Sequence, residues 1–244
     1  MTSKTPKFLL LQARNEGDRV RGEERAQFAS RLGVDVEHVV QRDMLSATMN
    51  LRMLEGYDAL LVGGSGEYSV LDNNPAIQAA KGLLQEVAEV GFPTFASCFG
   101  FQLMVEGMGG TVVHDEPNAE VGTFELTLSE HGANDPLFYD LPKQFNAQLG
   151  HKDRAEVMPE GVVTLASSAL CPHQALKVVG KPVYAAQFHP ELTWTDNRGR
   201  FERYMDDYGR VFGMPEAERM LTEDFRPSRA ASGLLHAFIE RILA

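Results

Sequence analysis

Cysteine is nearly absent from this chain of 244 residues: Cys98 and Cys171 are the only two. A disulfide framework needs more sulfurs and an oxidising compartment, so both are expected as reduced thiols with separate roles. Long apolar runs are missing as well. Stretches such as Phe8 to Leu11 and Ala59 to Val62 fall far short of the ~20 residues a membrane helix needs. The opening M-T-S-K-T-P-K lacks the h-region and cleavage site of a secretory signal, so a cytoplasmic protein without membrane contact is expected. Basic residues are outnumbered, 23 Lys and Arg against 34 Asp and Glu, for a formal net charge of -11. Clustered positive charge is what binds a phosphate backbone, so nucleic acid is excluded as an expected partner. Metal-ligand spacing is also lacking: Cys171 and His173 stand close together, but no second pair lies nearby in sequence. No metal and no cofactor are expected.

What is present is an alternation. Strand-like runs (Lys7 to Gln12, Tyr57 to Val62, Phe92 to Ser97) alternate with helix-like ones (Glu23 to Leu32, Pro75 to Val90, Phe99 to Met108), the order of βαβ units. Ala59 to Val62 is apolar at every position, as a central strand covered on both faces must be. The second half carries further strand-like runs at Thr111 to His114, Gly122 to Leu128, Gln144 to Leu149, Val162 to Ala166, Ala175 to Val179 and Pro182 to Phe188. The expected fold is α/β, a single doubly wound domain over residues 1–244. Its central, mostly parallel sheet is flanked by helices and extended by antiparallel strands from the second half. A charged stretch over about 195–225, with Pro215 as a helix start, reads as an exposed helical insertion or a partner surface. Leu234, Leu235, Phe238, Ile239 and Ile242 have helical spacing and predict a docked helix over about 228–243.

Two motifs carry chemistry. In P-T-F-A-S-C-F-G-F-Q an apolar strand ends at Ser97, Cys98 follows and a helix begins near Phe99, the arrangement of a nucleophile elbow. The helix N-terminus beneath the sulfur favours thiolate over thiol. Ala96 and Gly100 keep the turn uncrowded. In Y-A-A-Q-F-H-P-E-L a strand ends in His189, Pro190 and Glu191, a base and a carboxylate able to orient it. Each motif alone has a structural reading, since a buried thiol or a hydrogen-bonded histidine is common; together they point to nucleophilic catalysis. A third segment, G-G-S-G-E-Y-S, follows the Ala59 to Val62 run. With no G-K-[S/T] after it, phosphate binding is disfavoured, and backbone N–H groups there could meet an oxyanion.

These motifs, with G-H-K-D at Gly150 to Asp153, resemble in kind and order those of the class I, or triad, glutamine amidotransferases. Within that family the likeness is to the glutaminase domain of GMP synthetase and its stand-alone relatives. The family's elbow reads G-x-C-x-G-x-Q; here Cys98, Gly100 and Gln102 match while Ala96 replaces the first glycine. The resemblance implies Cys98, His189 and Glu191 as the catalytic triad and the N–H groups of Gly64 and Phe99 as the oxyanion hole. It implies Gln102 at the amino or carboxylate end of the substrate, with Gly150, His151 and Lys152 completing the pocket. It further implies glutamine as substrate, glutamate and ammonia as products, and an ATP-dependent synthetase acting in trans. A γ-glutamyl peptidase using the same triad and a non-catalytic binding module are the alternatives.

Overall fold

Successive residues of strand β1 (Phe8–Gln12) go to opposite sides of a sheet: Phe8 and Leu10 join one apolar cluster, Leu9 and Leu11 another, all fully buried. The same division holds along β3 (Ala59–Val62), so a run that is apolar at every position is what two covered faces demand. The structure, a computed structural model, describes residues 5–244. Between these strands lie α1 (Val20–Leu32) and β2 (Val39–Asp43), and after them α2 (Pro75–Val90), β4 (Thr94–Ser97) and α3 (Phe99–Gly107). Helix α2 is capped by the Asn74 side chain, starts with Pro75 and stops at the left-handed Gly91, the usual punctuation of a surface helix.

The second half supplies β5 (Thr111–His114), β6 (Glu120–Leu128), the short α4 (Glu130–Ala133), β7 (Gln144–His151), β8 (Asp153–Val157), β9 (Val162–Ser167), β10 (Ala175–Val178) and β11 (Val183–Ala186). Nine strands form one sheet in the order β2-β1-β3-β4-β11-β10-β9-β6-β7. The first five run parallel to one another, and β10, β9, β6 and β7 are joined antiparallel. β5 and β8 make a separate antiparallel pair. The fold is the α/β sheet flanked by helices that the sequence predicts. Strands β2 and β8 are absent from that prediction.

Helices α5 (Trp194–Arg203), α6 (Met205–Phe212) and α7 (Met214–Glu223) are followed by α8 (Arg229–Ser232) and α9 (Leu234–Phe238), the last continued by a wider turn at Ile239–Leu243. The expected C-terminal helix is thus divided at Gly233. Leu234, Leu235 and Phe238 still dock on the sheet, with Phe238 edge-on to Phe95 and Tyr184. The segment read as an exposed insertion has its own small core of Phe201, Ala217, Met220 and Phe225 against Val121. It also has a face turned to a cavity, so it is not simply a solvated helix. The reason is an anchor: buried Asn197 donates to the carbonyls of Gly122 and Leu149 and to Gln148 Oε1 at 3.1–3.3 Å, pinning α5 to β6 and β7. Among the described residues no helix is long and apolar enough to cross a membrane.

Candidate active site

Three neighbouring parallel strands, β3, β4 and β11, end at the same edge of the sheet, because Val62 pairs with Ala96 and Ser97 with Ala186. Ligands of such sheets bind outside these carboxyl ends. Gly63 and Gly64 follow β3, Cys98 follows β4, and His189 follows β11 by three residues.

Cys98 has φ 51° and ψ -101°, the only positive φ at a non-glycine residue among the described residues. Such a conformation costs roughly 1–3 kcal/mol and survives only where its surroundings enforce it. Enforcement comes from both sides: Cys98 N–H donates to Ala186 at 2.7 Å, and the Cys98 carbonyl accepts from Gln102 N–H in the first turn of α3. The tightness of this turn explains Gly100, where a Cβ would lie 2.9 Å from the Val62 side chain and carbonyl. Ala96, the departure from the family's glycine, is buried in the middle of the parallel sheet, where its methyl is accommodated.

His189 Nδ1 lies 2.6 Å from Glu191 Oε1, and both side chains are buried. Burial alone pushes the His189 pKa down, but the Glu191 carboxylate and the Cys98 sulfur outweigh it and raise the value to about 10. For Glu191 burial pushes up, and the charge of His189, helped by Arg200, brings the carboxyl below its usual range. The imidazole also accounts for Gly64, since a Cβ there would come within 2.9 Å of His189 Cε1.

Cys98 and His189 border a cavity of about 520 Å³. Cys98, Phe99, Gln102, Gly150, His151, Lys152 and His189 all line it, while Gly64 and Glu191 are not part of its lining. Two expectations are altered by the hydrogen bonds. The Gly64 N–H points at Glu24 Oε1, 3.3 Å away, in a fully buried cluster where that carboxylate also accepts from Gln12 and Arg14. It is engaged, whereas Phe99 N–H has no acceptor among the described residues. The Gln102 amide nitrogen donates to the Asp153 carbonyl at 2.8 Å and to Gln187 Oε1 at 3.2 Å, so only its oxygen remains for a ligand, as an acceptor. His151 Nδ1 is hydrogen-bonded to the Asp153 carbonyl at 3.1 Å, while its Nε2 lies 3.2 Å from Glu120 Oε2 without hydrogen-bond geometry. No cluster of three metal-ligating side chains occurs among the described residues.

Cys171 lies away from the cavity that Cys98 lines. It is fully buried, donates to the His173 carbonyl, and burial pushes its thiol up to about 11. The cavity is also lined by residues to which the sequence assigns no role: Arg14, Arg200 on α5, Tyr204 between α5 and α6, and Tyr208 on α6. Their contacts span far-separated segments, and no local pattern announces them.

Fold and site together describe an α/β protein with a strained cysteine at a strand-to-helix turn and a His–Glu pair on the adjoining strand. The sequence model of the glutamine amidotransferase class-I family matches residues 25–204, and the chain belongs to that family. It is 35% identical over 127 residues to a glutamine-hydrolyzing GMP synthase subunit of Methanocaldococcus jannaschii, covering 52% of this chain and 65% of that protein. The likeness to the glutamine-hydrolyzing GMP synthase of Thermosipho africanus is 36% over 109 residues, covering 45% of this chain and 20% of that one. The chain therefore matches less than two thirds of the length of either relative. In fold it superposes on a glutamine amidotransferase of Thermotoga maritima with TM-score 0.70 at 18% identity, covering 98% and 99% of the two chains. For a glutamine amido transferase of Methylobacillus flagellatus the TM-score is 0.64 at 18% identity, covering 98% and 93%.

Proposed function

We propose that this chain hydrolyses the side-chain amide of glutamine through a cysteine thioester. The observation that carries the reading is the convergence of the strained Cys98 on a buried His189–Glu191 pair at adjoining strand ends. His189 takes the thiol proton of Cys98, and the sulfur attacks the amide carbon. Glu191 keeps Nδ1 protonated, so Nε2 is the face that works. The free Phe99 N–H meets the oxyanion, and Gly64 N–H joins it by exchanging the Glu24 carboxylate for the substrate oxygen. A donor of this kind is worth ~3 kcal/mol in other hydrolases. With its pKa raised, His189 keeps that proton on the imidazole through the attack, then delivers it to the leaving nitrogen as the tetrahedral intermediate collapses, so that the group departs as ammonia. The same imidazole then deprotonates a water that attacks the γ-glutamyl thioester, and as the C–S bond breaks it returns the proton to sulfur, leaving glutamate.

Gln102 Oε1 would accept from the α-ammonium group of the substrate, and the strand end at Gly150, His151 and Lys152 would form the rest of the pocket. Ammonia would pass to an ATP-dependent synthetase acting in trans, a reading supported by likeness to a protein that is one subunit of a GMP synthase. The cavity of about 520 Å³ favours a second reading, because Tyr204, Tyr208 and Arg210 wall a space beyond the sulfur that could take a leaving amine larger than ammonia. The purified chain is assayed for glutamate release from glutamine and from γ-glutamyl peptides, in wild type and Cys98→Ala. Glutamine turnover abolished by the substitution supports the first reading. Turnover of γ-glutamyl peptides alone supports the second, and turnover that survives Cys98→Ala overturns both.

A further inference from the structure

Gln187 lies in the strand-end segment between β11 and His189, is fully buried, and has no part in the chemistry above. Its amide nitrogen is 3.7 Å from Cys98 Sγ, a hydrogen-bonding distance for the larger sulfur atom. Side-chain amides can be turned end for end, so which end faces the sulfur must come from the surrounding bonds. Here the chain of bonds starts at a group whose polarity cannot change. The carbonyl of Asp153 only accepts, so Gln102 must present its NH2 to it at 2.8 Å. That NH2 also reaches Gln187 Oε1 at 3.2 Å, so Gln187 must present oxygen to Gln102 and nitrogen to Cys98. The Asp153 carbonyl is itself held by His151 Nδ1 at 3.1 Å, and Gln187 N–H donates to the Gln174 carbonyl at 2.9 Å.

We infer that Gln187 is a catalytic residue of this site, a neutral N–H donor to the Cys98 sulfur whose direction is set by Gln102 and the Asp153 carbonyl. The inference rests on the reading of Cys98 as nucleophile. A donor favours the anionic sulfur over the thiol, and hydrogen bonds to charged groups are the stronger ones. His189 and Gln187 then divide the work: one takes the proton, and the other stabilises the charge left behind without competing for that proton.

The test is the pH dependence of Cys98 alkylation by iodoacetamide, in wild type, Gln187→Glu and Gln187→Leu, with thermal unfolding as a check on folding. Gln187→Glu keeps the acceptor that Gln102 needs but turns a carboxylate toward the sulfur. Its alkylation midpoint is expected to rise by about one pH unit or more, roughly a tenfold slower reaction at a fixed pH below the midpoint. Gln187→Leu is expected to shift it in the same direction by less. A folded variant with the wild-type midpoint overturns the proposal, because a merely structural glutamine would change the melting temperature and leave the profile alone. Should neither variant fold, the wild-type side-chain amide of Gln187 is followed by NMR while Cys98 titrates. A shift that tracks the alkylation midpoint supports the inference, and an unmoved resonance overturns it. A wild type that resists alkylation, with Cys98→Ala still hydrolysing glutamine, defeats the nucleophile reading; a reactive wild type with insensitive Gln187 variants defeats only this proposal.

Discussion

Gly64→Ala is the perturbation whose effect can be worked most closely. A Cβ at this position would lie 2.9 Å from His189 Cε1, while ordinary contacts begin near 3.4 Å, so about 0.5 Å must be found. The imidazole cannot tilt away freely, because Nδ1 is 2.6 Å from Glu191 and the backbone N–H of His189 is bonded to Gln148 at 2.8 Å. Gly64 itself does not sit at a positive φ, so alanine suits the backbone. Where alanine is compatible it stabilises by ~0.4–1 kcal/mol through the unfolded chain, which offsets part of the contact strain. The expected result is thus a protein of near wild-type melting temperature whose His189 imidazole is displaced by several tenths of an ångström. A 1 Å misplacement can cost about a hundredfold in rate, so a fall in kcat of roughly tenfold to a hundredfold is expected. Glutamate release under saturating glutamine measures it, with urea unfolding run in parallel. A variant within about twofold of wild-type kcat refutes the reasoning, and so does one that loses activity only because it unfolds.

Further outcomes follow from the same geometry. The raised His189 pKa adds stability that is complete below ~6.5 and lost as pH rises toward about 10; the lowered Glu191 value adds stability that is present above its ordinary ~4.5 and lost as pH falls below it. Urea midpoints should accordingly fall between pH 6.5 and 10, and Glu191→Gln should flatten that decline; an equally steep decline in the variant contradicts the pairing. Cys171→Ser should keep wild-type glutaminase activity, and a thiol reagent should titrate one sulfur in the native protein and two in urea. Asn197→Ala removes three bonds between α5 and the β6–β7 strands. A loss of ~1–3 kcal/mol in stability and a raised KM, read by urea unfolding and steady-state kinetics, are expected; unchanged values would mean that α5 does not shape the pocket.

The fold is most legible in the sequence where both faces of a strand are covered. Ala59–Val62 and Thr94–Ser97 announce themselves because every residue is buried. Val39–Asp43 is hidden because it is an edge strand, with one neighbour and one fully buried residue, and its V-V-Q-R-D has no alternation to read. Asp153–Val157 is polar and pairs only with β5, outside the main sheet. Gly233 divides the last helix without disturbing the apolar spacing that predicts it.

At the site, Cys98, His189 and Glu191 are visible because each sits at a strand end within a short motif. Gln187 carries a fainter signal of the same kind. Strand parity places 187 and 189 on one side of the chain and Phe188, buried in the core, on the other. Glu24 has no such signal: it meets Gly64 across 40 residues, and nothing in helix α1 distinguishes it from its neighbours. The same holds for Arg200, whose place beside Glu24 and near Glu191 depends on α5 being folded back over the sheet.

The central claim is a covalent bond between Cys98 and the γ-carbonyl of the substrate, and its most direct test is to trap that bond. Wild-type protein is mixed with glutamine, quenched in acid within its first turnovers, and digested for mass spectrometry of the peptide containing Cys98. A γ-glutamyl adduct on Cys98, absent from Cys98→Ser and lost on hydroxylamine treatment, is the predicted result. Glutamine turnover by an enzyme that never carries the adduct, or an adduct on another residue, would contradict it.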